Sequence, residues 1–206
     1  MEKGLINADT KQLDRLVVEL KGFEEEVGEA TYHALRRTVD HVATQVTRVV
    51  PRSYSIKAKD VRGTLRKIKP SRTNLRAGVE SKGRTLTLAH FPHSPMKPPM
   101  RRRRKGYDVR VSIKKGPRMV LSTTPRAFVA STGAKSEDKV QHNVFRRVGK
   151  PRLPIVAIRT LSVPQMITND GVAGQIQDAA ITKLEERLEH EVVRVMLNIG
   201  KNVRRG

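Results

Sequence analysis

The stretch "FEEEVGEATYHALRRTVDHVATQVTRVV", residues 23–50, decides the fold. Val27, Ala30, Ala34, Leu35, Val39, Val42, Val46, Val49 and Val50 recur every three or four positions, the spacing of one helical face. The acids Glu24–Glu26 fall in the first turn, where they favour the helix dipole, and Pro51 predicts the stop. Several of the stripe positions are β-branched, which costs helix propensity. Tertiary packing must therefore hold this helix in place.

The matching partner lies at the other end of the chain. Val172, Ile176, Ala180, Leu184, Leu188, Val192, Val195 and Ile199 form a second long apolar stripe, with Gly200 as its natural end and "KNVRRG" as a frayed tail. Ser162 and Gln165 offer a capping box on the approach, and Pro164 is tolerated in a first turn. "NDG" at 169–171 reads as a turn or a helix start.

Two shorter helices are expected near the N-terminus. Residues 9–22 place Leu13, Leu16, Val17 and Leu20 on one face, with Asp9 and Gln12 as a capping box. Residues 56–68 read as a short basic helix around Ile56, Val61, Leu65 and Ile68, ended by Pro70.

Between these helices the period changes. "LRAGVES" and "TLTLAHF" flank "KGR", and "DVRVSI" and "RMVLST" flank "KKGP", two hairpin patterns. "RAFVAS" and "NVFRRV" add strands, with "TGAKSEDK" as a loop between them. The expected fold is α+β. A small antiparallel sheet with basic hairpin or loop arms is packed on one face by the long N-terminal and C-terminal helices. One domain, 1–206, is expected: helices in 1–70, a β-rich basic region in 71–150 with an arginine arm at 97–106, and the C-terminal helix and basic tail in 151–206. No internal repeat is visible.

Composition narrows the function. The hydrophobic fraction is 37% and Trp is absent, so the core must be built mostly from Val, Leu, Ile and Ala. Such modest cores are often completed by oligomerisation. The absence of Cys removes disulfides, thiolate metal sites and thiol catalysis. No apolar run is long enough for a transmembrane helix, so no membrane partner is expected, and "MEKGLINADTKQ" lacks the apolar core of a secretory signal.

The formal net charge is +22, and it is unevenly spread. Residues 1–30 hold eight acids against four bases, whereas residues 31–170 hold 32 bases against seven acids. A basic middle attracts nucleic acid, anionic membrane or acidic protein surface.

No enzyme is expected. The few acids of the middle (Asp40, Asp60, Glu80, Asp108, Glu137, Asp138 and Asp170) do not pair with His at a recognisable spacing, and G-x-S-x-G, phosphate-loop and H-E-x-x-H motifs are absent. His90 and His93 share a Pro-rich stretch with no Cys or carboxylate cluster to complete a metal site, so they read as loop histidines. Neither metal nor cofactor is expected.

The strongest functional signal is "PPMRRRRKGYDVRV", residues 98–111. Residues 92–116 carry Lys97, Arg101, Arg102, Arg103, Arg104, Lys105, Arg110, Lys114 and Lys115 against the single acid Asp108. Such a segment binds polyanion through counterion release, without reading sequence. Only Phe91 and Tyr107 flank it as aromatics, too few for base stacking. The alternatives are a stand-alone, sequence-independent nucleic-acid binder, a protein-docking arm, or a solvated loop.

The order of four features resembles the minor tail protein Z family of long-tailed phages and prophages, also called tail completion proteins. They are "ALRRTVDHVATQVTRVV" followed by "SIKAKDVRGTLRKIKPS", the central "MRRRRKG", the run "AFVAS…HNVFRRVGKPRLPIVAIRTLSVPQMI", and the last helix with its basic tail. The resemblance covers about residues 5–200. It implies a non-enzymatic virion protein, assembled in host cytoplasm, that completes the head-proximal end of the tail at the neck and helps join head to tail. It also implies a homo-oligomeric ring, commonly sixfold. The implied partners are tail terminator or tube proteins and neck or connector proteins, with possible non-specific double-stranded DNA contact. The family has no established catalytic residues, so none is transferred.

Overall fold

The computed structural model describes residues 24–100, 107–136 and 139–203. The expected helix at 9–22 lies outside them. In chain order the elements are α1 (Glu24–Ser53), α2 (Ala58–Arg62), β1 (Leu65–Ile68), β2 (Gly78–Ser81), a 3₁₀ turn (Leu88–His90), β3 (His93–Ser94), β4 (Arg110–Val111), β5 (Met119–Val120), β6 (Phe128–Ser136), β7 (Lys139–Arg147), β8 (Ile155–Ala157), α3 (Val163–Ile167) and α4 (Asp170–Val203). Helices with small antiparallel sheets make an α+β fold, as the sequence predicts.

The stripe of α1 is the core. Ala30, Ala34, Val39, Val42, Val46, Val49 and Val50 are all buried. Its threonines solve their own polar problem: the hydroxyls of Thr38, Thr44 and Thr47 donate to the carbonyls of Ala34, Asp40 and Ala43, each four residues back. Pro51 does not end the helix, which runs on to Ser53. It sits in the last turn, where its missing N–H costs one ladder bond and the chain leaves the helix within two residues.

The two long helices pack chiefly on each other rather than side by side on one sheet face. Ala34 clusters with Leu184 and Leu188, while Val39–Val50 share the main core with Val172, Ile176 and Ala180. Those pairings make the helices antiparallel. Helix α4 begins after a break: Ser162 and Gln165 form the expected capping box, but it caps the short α3. The N–H groups of Val172 and Ala173 then donate to the Asn169 carbonyl, both at 2.8 Å, and start the long helix. Helix α4 continues past Gly200 to Val203, so the expected end was placed too early.

Among the described residues the sheet is not one but three: β1–β2, β3–β4–β5 and β6–β7–β8. The basic helix expected at 56–68 is helical only over Ala58–Arg62. Gly63 caps it, the Thr64 hydroxyl donates to the Val61 carbonyl, and the chain turns into β1. β1 then pairs with β2, with Leu65 opposite Ser81 and Ile68 opposite Gly78. This pairing takes the strand expected to form a hairpin across "KGR". Residues 85–88 bond instead to the segment before α3, through Leu86 N–H to Leu161, Thr160 N–H to Leu86 and Leu88 N–H to Ile158 carbonyls.

The "KKGP" hairpin is present, with Arg110 opposite Val120 and Val111 opposite Met119, and Gly116 adopts φ +140° in its turn. The strands in "RAFVAS" and "NVFRRV" pair, Phe128 opposite Phe145. The loop expected between them is largely strand, since pairing continues out to Ser136 opposite Lys139. An irregularity between Ser131 and Lys135, with Gly133 at φ +80°, shifts the register and hides the alternation that would mark a strand in the sequence.

Candidate partner-binding surface

The arginine run is the excursion between two paired strands. Ser94 stands opposite Arg110 and His93 opposite Val111, so residues 95–109 leave and return at one point. Both feet are clamped. The Ser112 N–H donates to the Pro92 carbonyl at 3.0 Å, and His93, buried, bonds through Nδ1 to the Phe91 carbonyl at 3.0 Å. Phe91, Val109 and Val111 bury their side chains in the main core.

On the returning foot, the Tyr107 hydroxyl accepts the Val129 N–H at 2.8 Å. Val129 lies in β6, an edge strand of its sheet, so Tyr107 both anchors the arm and covers an edge donor. Neither flanking aromatic is therefore offered to a base: Phe91 is core and Tyr107 is a tether.

The structure divides the nine basic residues. Lys97 is exposed on the outgoing foot, beside the exposed Met96 and Met100. Arg110 is exposed on β4, on the same face as Ser94 and Val120. Arg101, Arg102, Arg103, Arg104 and Lys105 lie outside the described residues. Lys114 and Lys115 are exposed but sit at the other end of β4, in the hairpin turn.

That turn is fastened to the C-terminal end of α1. The Lys115 N–H donates to the Ser53 carbonyl at 2.9 Å, and the Ser55 N–H donates to Ile113 at 2.8 Å. The Ser112 hydroxyl bonds to the Lys114 carbonyl at 2.9 Å within the turn. The turn that carries Lys114 and Lys115 is thus tied through its backbone to the end of α1, away from the arm.

Acids elsewhere engage other bases. Lys67 donates to Asp40 at 2.6 Å, and this hydrogen bond holds the Asp40 carboxyl below the usual carboxylate range. Arg72 lies 2.7 Å from Glu29 and Lys82 3.2 Å from Glu80. Near the arm, Asp108 faces Arg126 at 3.8 Å. The arm thus brings positive charge to a fixed base with little acid beside it.

The two histidines of the Pro-rich stretch are separated in role. His90 Nδ1 meets Asp60 at 3.2 Å on the surface, and His93 is buried. Among the described residues no three His, Asp or Glu side chains are placed to hold a metal ion, and no helix is long and apolar enough to cross a membrane. Sequence reading passed over Asn143, buried in β7, whose Oδ1 accepts the Ala89 N–H at 3.1 Å and ties the 3₁₀ turn to the strand. It also passed over Glu191, fully buried between the long helices. Glu191 lies three residues after Leu188 and four before Val195, a spacing that could have placed it on the stripe.

A family model described as prophage minor tail protein Z matches residues 10–200 of the chain. No curated protein and no solved structure matches it.

Proposed function

The chain belongs to the prophage minor tail protein Z family and is a structural component of a phage tail, and we propose that within the tail it completes the head-proximal end and helps join the head at the neck. The observation that carries this reading is the family match over residues 10–200, nearly the whole chain. In this reading the protein acts by shape and charge, as a homo-oligomeric ring, sixfold by the resemblance, and performs no catalysis. Assembly takes place in host cytoplasm.

The clamped arm supports a docking role. Strands β3 and β4 fix where the basic segment leaves the body and where it returns. Its partner in this reading is an acidic face of a neighbouring tail terminator, tube, neck or connector protein. Non-specific contact with double-stranded DNA is the competing outcome. The test is reconstitution: tails assembled without this protein are mixed with DNA-filled heads, with and without the purified chain. Joined particles by electron microscopy only in its presence are expected. Tails that join heads equally well without it would overturn the reading.

A further inference from the structure

Helix α4 has two opposed faces. Leu184, Leu188 and Glu191 are buried against α1, and Val195 is buried at the next position of the same stripe. Half a turn away, Glu186, His190, Val193 and Leu197 follow the same alternation of four and three residues. This outward seam is bare: Val193 is 56% exposed, Leu197 61%, and Met196 beside them 50%. With Glu189 and Arg194 the seam residues line a shallow open groove of about 480 Å³. Three large apolar side chains within five residues of a helix is more than scattered surface hydrophobics account for.

The sequence holds a further apolar stripe near the N-terminus. Leu13, Leu16, Val17 and Leu20 fall at helical spacing in the segment that ends where α1 begins at Glu24. Because α1 and α4 are antiparallel, the start of α1 at Glu24 stands beside the last turns of α4. Glu24 is on the α1 side of α4, however, and the bare seam is on the far side. Packed helices lie about 8–10 Å apart, so a helix on the outward seam has its axis roughly 16–20 Å from that of α1. From Leu20 to Glu24 the chain spans at most about 14 Å. A helix is about 10–12 Å across with its side chains, so that reach does not carry Leu20 round α4 to its far face.

We propose that the outward seam of α4 is the docking site for the N-terminal segment, residues 1–23, of a second copy of this chain. The contact joins two different surfaces, one from each copy. Such heterologous contacts generate rings when the rotation closes. The inference rests on the ring reading above and supplies the surfaces through which the ring is built.

The absence of native cysteine makes the test clean. Leu16→Cys and Leu197→Cys are placed in separate chains, which are co-expressed and mildly oxidised. The expected product is a disulfide-linked dimer joining position 16 of one copy to position 197 of the other. In the double variant, a disulfide at monomer mass would overturn the proposal, as would a 197–197 dimer. So would the absence of any disulfide while both thiols react freely with a maleimide. Sedimentation supplies the second measurement. Val17→Asp and Val193→Asp, each with wild-type circular dichroism, should shift the oligomer to monomer mass. If both variants keep the wild-type oligomer, this interface is wrong while the ring survives. If the wild-type chain is itself monomeric throughout, both the interface and the ring fail, and the tail role is judged by reconstitution alone.

Discussion

Arg37 of α1 lies 3.5 Å from the carboxylate of Glu191 in α4, a side chain with no exposure to solvent. Arg194, one turn on, approaches the same carboxylate at 2.8 Å. A buried charge in a helix seam is costly unless paired, and removing one partner strands the other. Arg37→Ala should therefore destabilise the chain by about 1–3 kcal/mol, below the range for fully buried pairs because the arginine is half exposed. Glu191→Leu should be neutral or stabilising, since it extends the Leu184–Leu188 seam. Urea unfolding of both variants checks the pair of signs, and an unchanged midpoint for Arg37→Ala would remove the pairing from the energetics.

His41 faces the same helix from one turn further along α1. Burial pushes its pKa below the ordinary histidine value, and the nearby positive charges of Lys183, Arg48 and Arg187 push the same way against Glu186. The folded state therefore holds the proton less well than the unfolded chain. Stability is fully present above the unfolded histidine pKa, near 6.5, and falls as pH drops toward the folded value. His41→Gln, which keeps a polar side chain beside Gln45, should flatten that decline in thermal melts between about pH 7 and 5. An equal decline in the variant would assign it to other groups.

The helices were legible because periodicity survives in a single sequence: every strong position of the α1 stripe is buried or half-buried. The sheets were legible only as strand material, not as pairing. Gly78–Ser81 could pair with Leu65–Ile68 or across "KGR", and the choice was made by tertiary geometry. The break at Gly63 was hidden because Ile56, Val61, Leu65 and Ile68 fit helical spacing, although Ile68 ends exposed on a strand. The basic cluster was legible as charge, but its division between an arm and a turn tied to the end of α1 was not. Lys114 and Lys115 look like the arm in composition and differ from it only in which backbone groups they meet.

Asn143 gives the loop before β3 its place. Its Oδ1 serves two backbone donors, Ala89 at 3.1 Å and Val144 at 2.8 Å, in a buried setting. Asn143→Ala removes the acceptor of both N–H groups; Ala89 is exposed and can turn to water while Val144 is buried, so the cost is about 1 kcal/mol. The expected result is a loss of that order in urea, with faster amide exchange at Ala89. Wild-type protection at Ala89 in the variant would show that this bond does not hold the turn.

Tyr107 tests whether the foot of the arm is tied down. Tyr107→Phe keeps the ring against the core and removes only the acceptor for the Val129 N–H. The cost should be about 1 kcal/mol, with amide exchange at Val129 accelerated and the far end of β6 unchanged. If Val129 exchanges at the wild-type rate, the β6 edge is protected by something other than the tether.

The two basic clusters should separate in function. Replacing Arg101–Arg104 with Ser changes only the excursion beyond the clamped feet, so thermal stability should stay within about 0.5 kcal/mol of wild type, as for surface changes away from packing. Head joining in the reconstitution should fall, and added salt should deepen the loss for any remaining electrostatic contact. Lys114→Ser with Lys115→Ser alters the turn bonded to Ser53 at the end of α1. That variant keeps the backbone bonds of the turn, so it should stay within about 0.5 kcal/mol of wild type and should join heads normally. Joining lost in both variants would make the basic face one functional surface. Joining retained in the arginine variant would leave the arm a solvated loop, its charge without a partner.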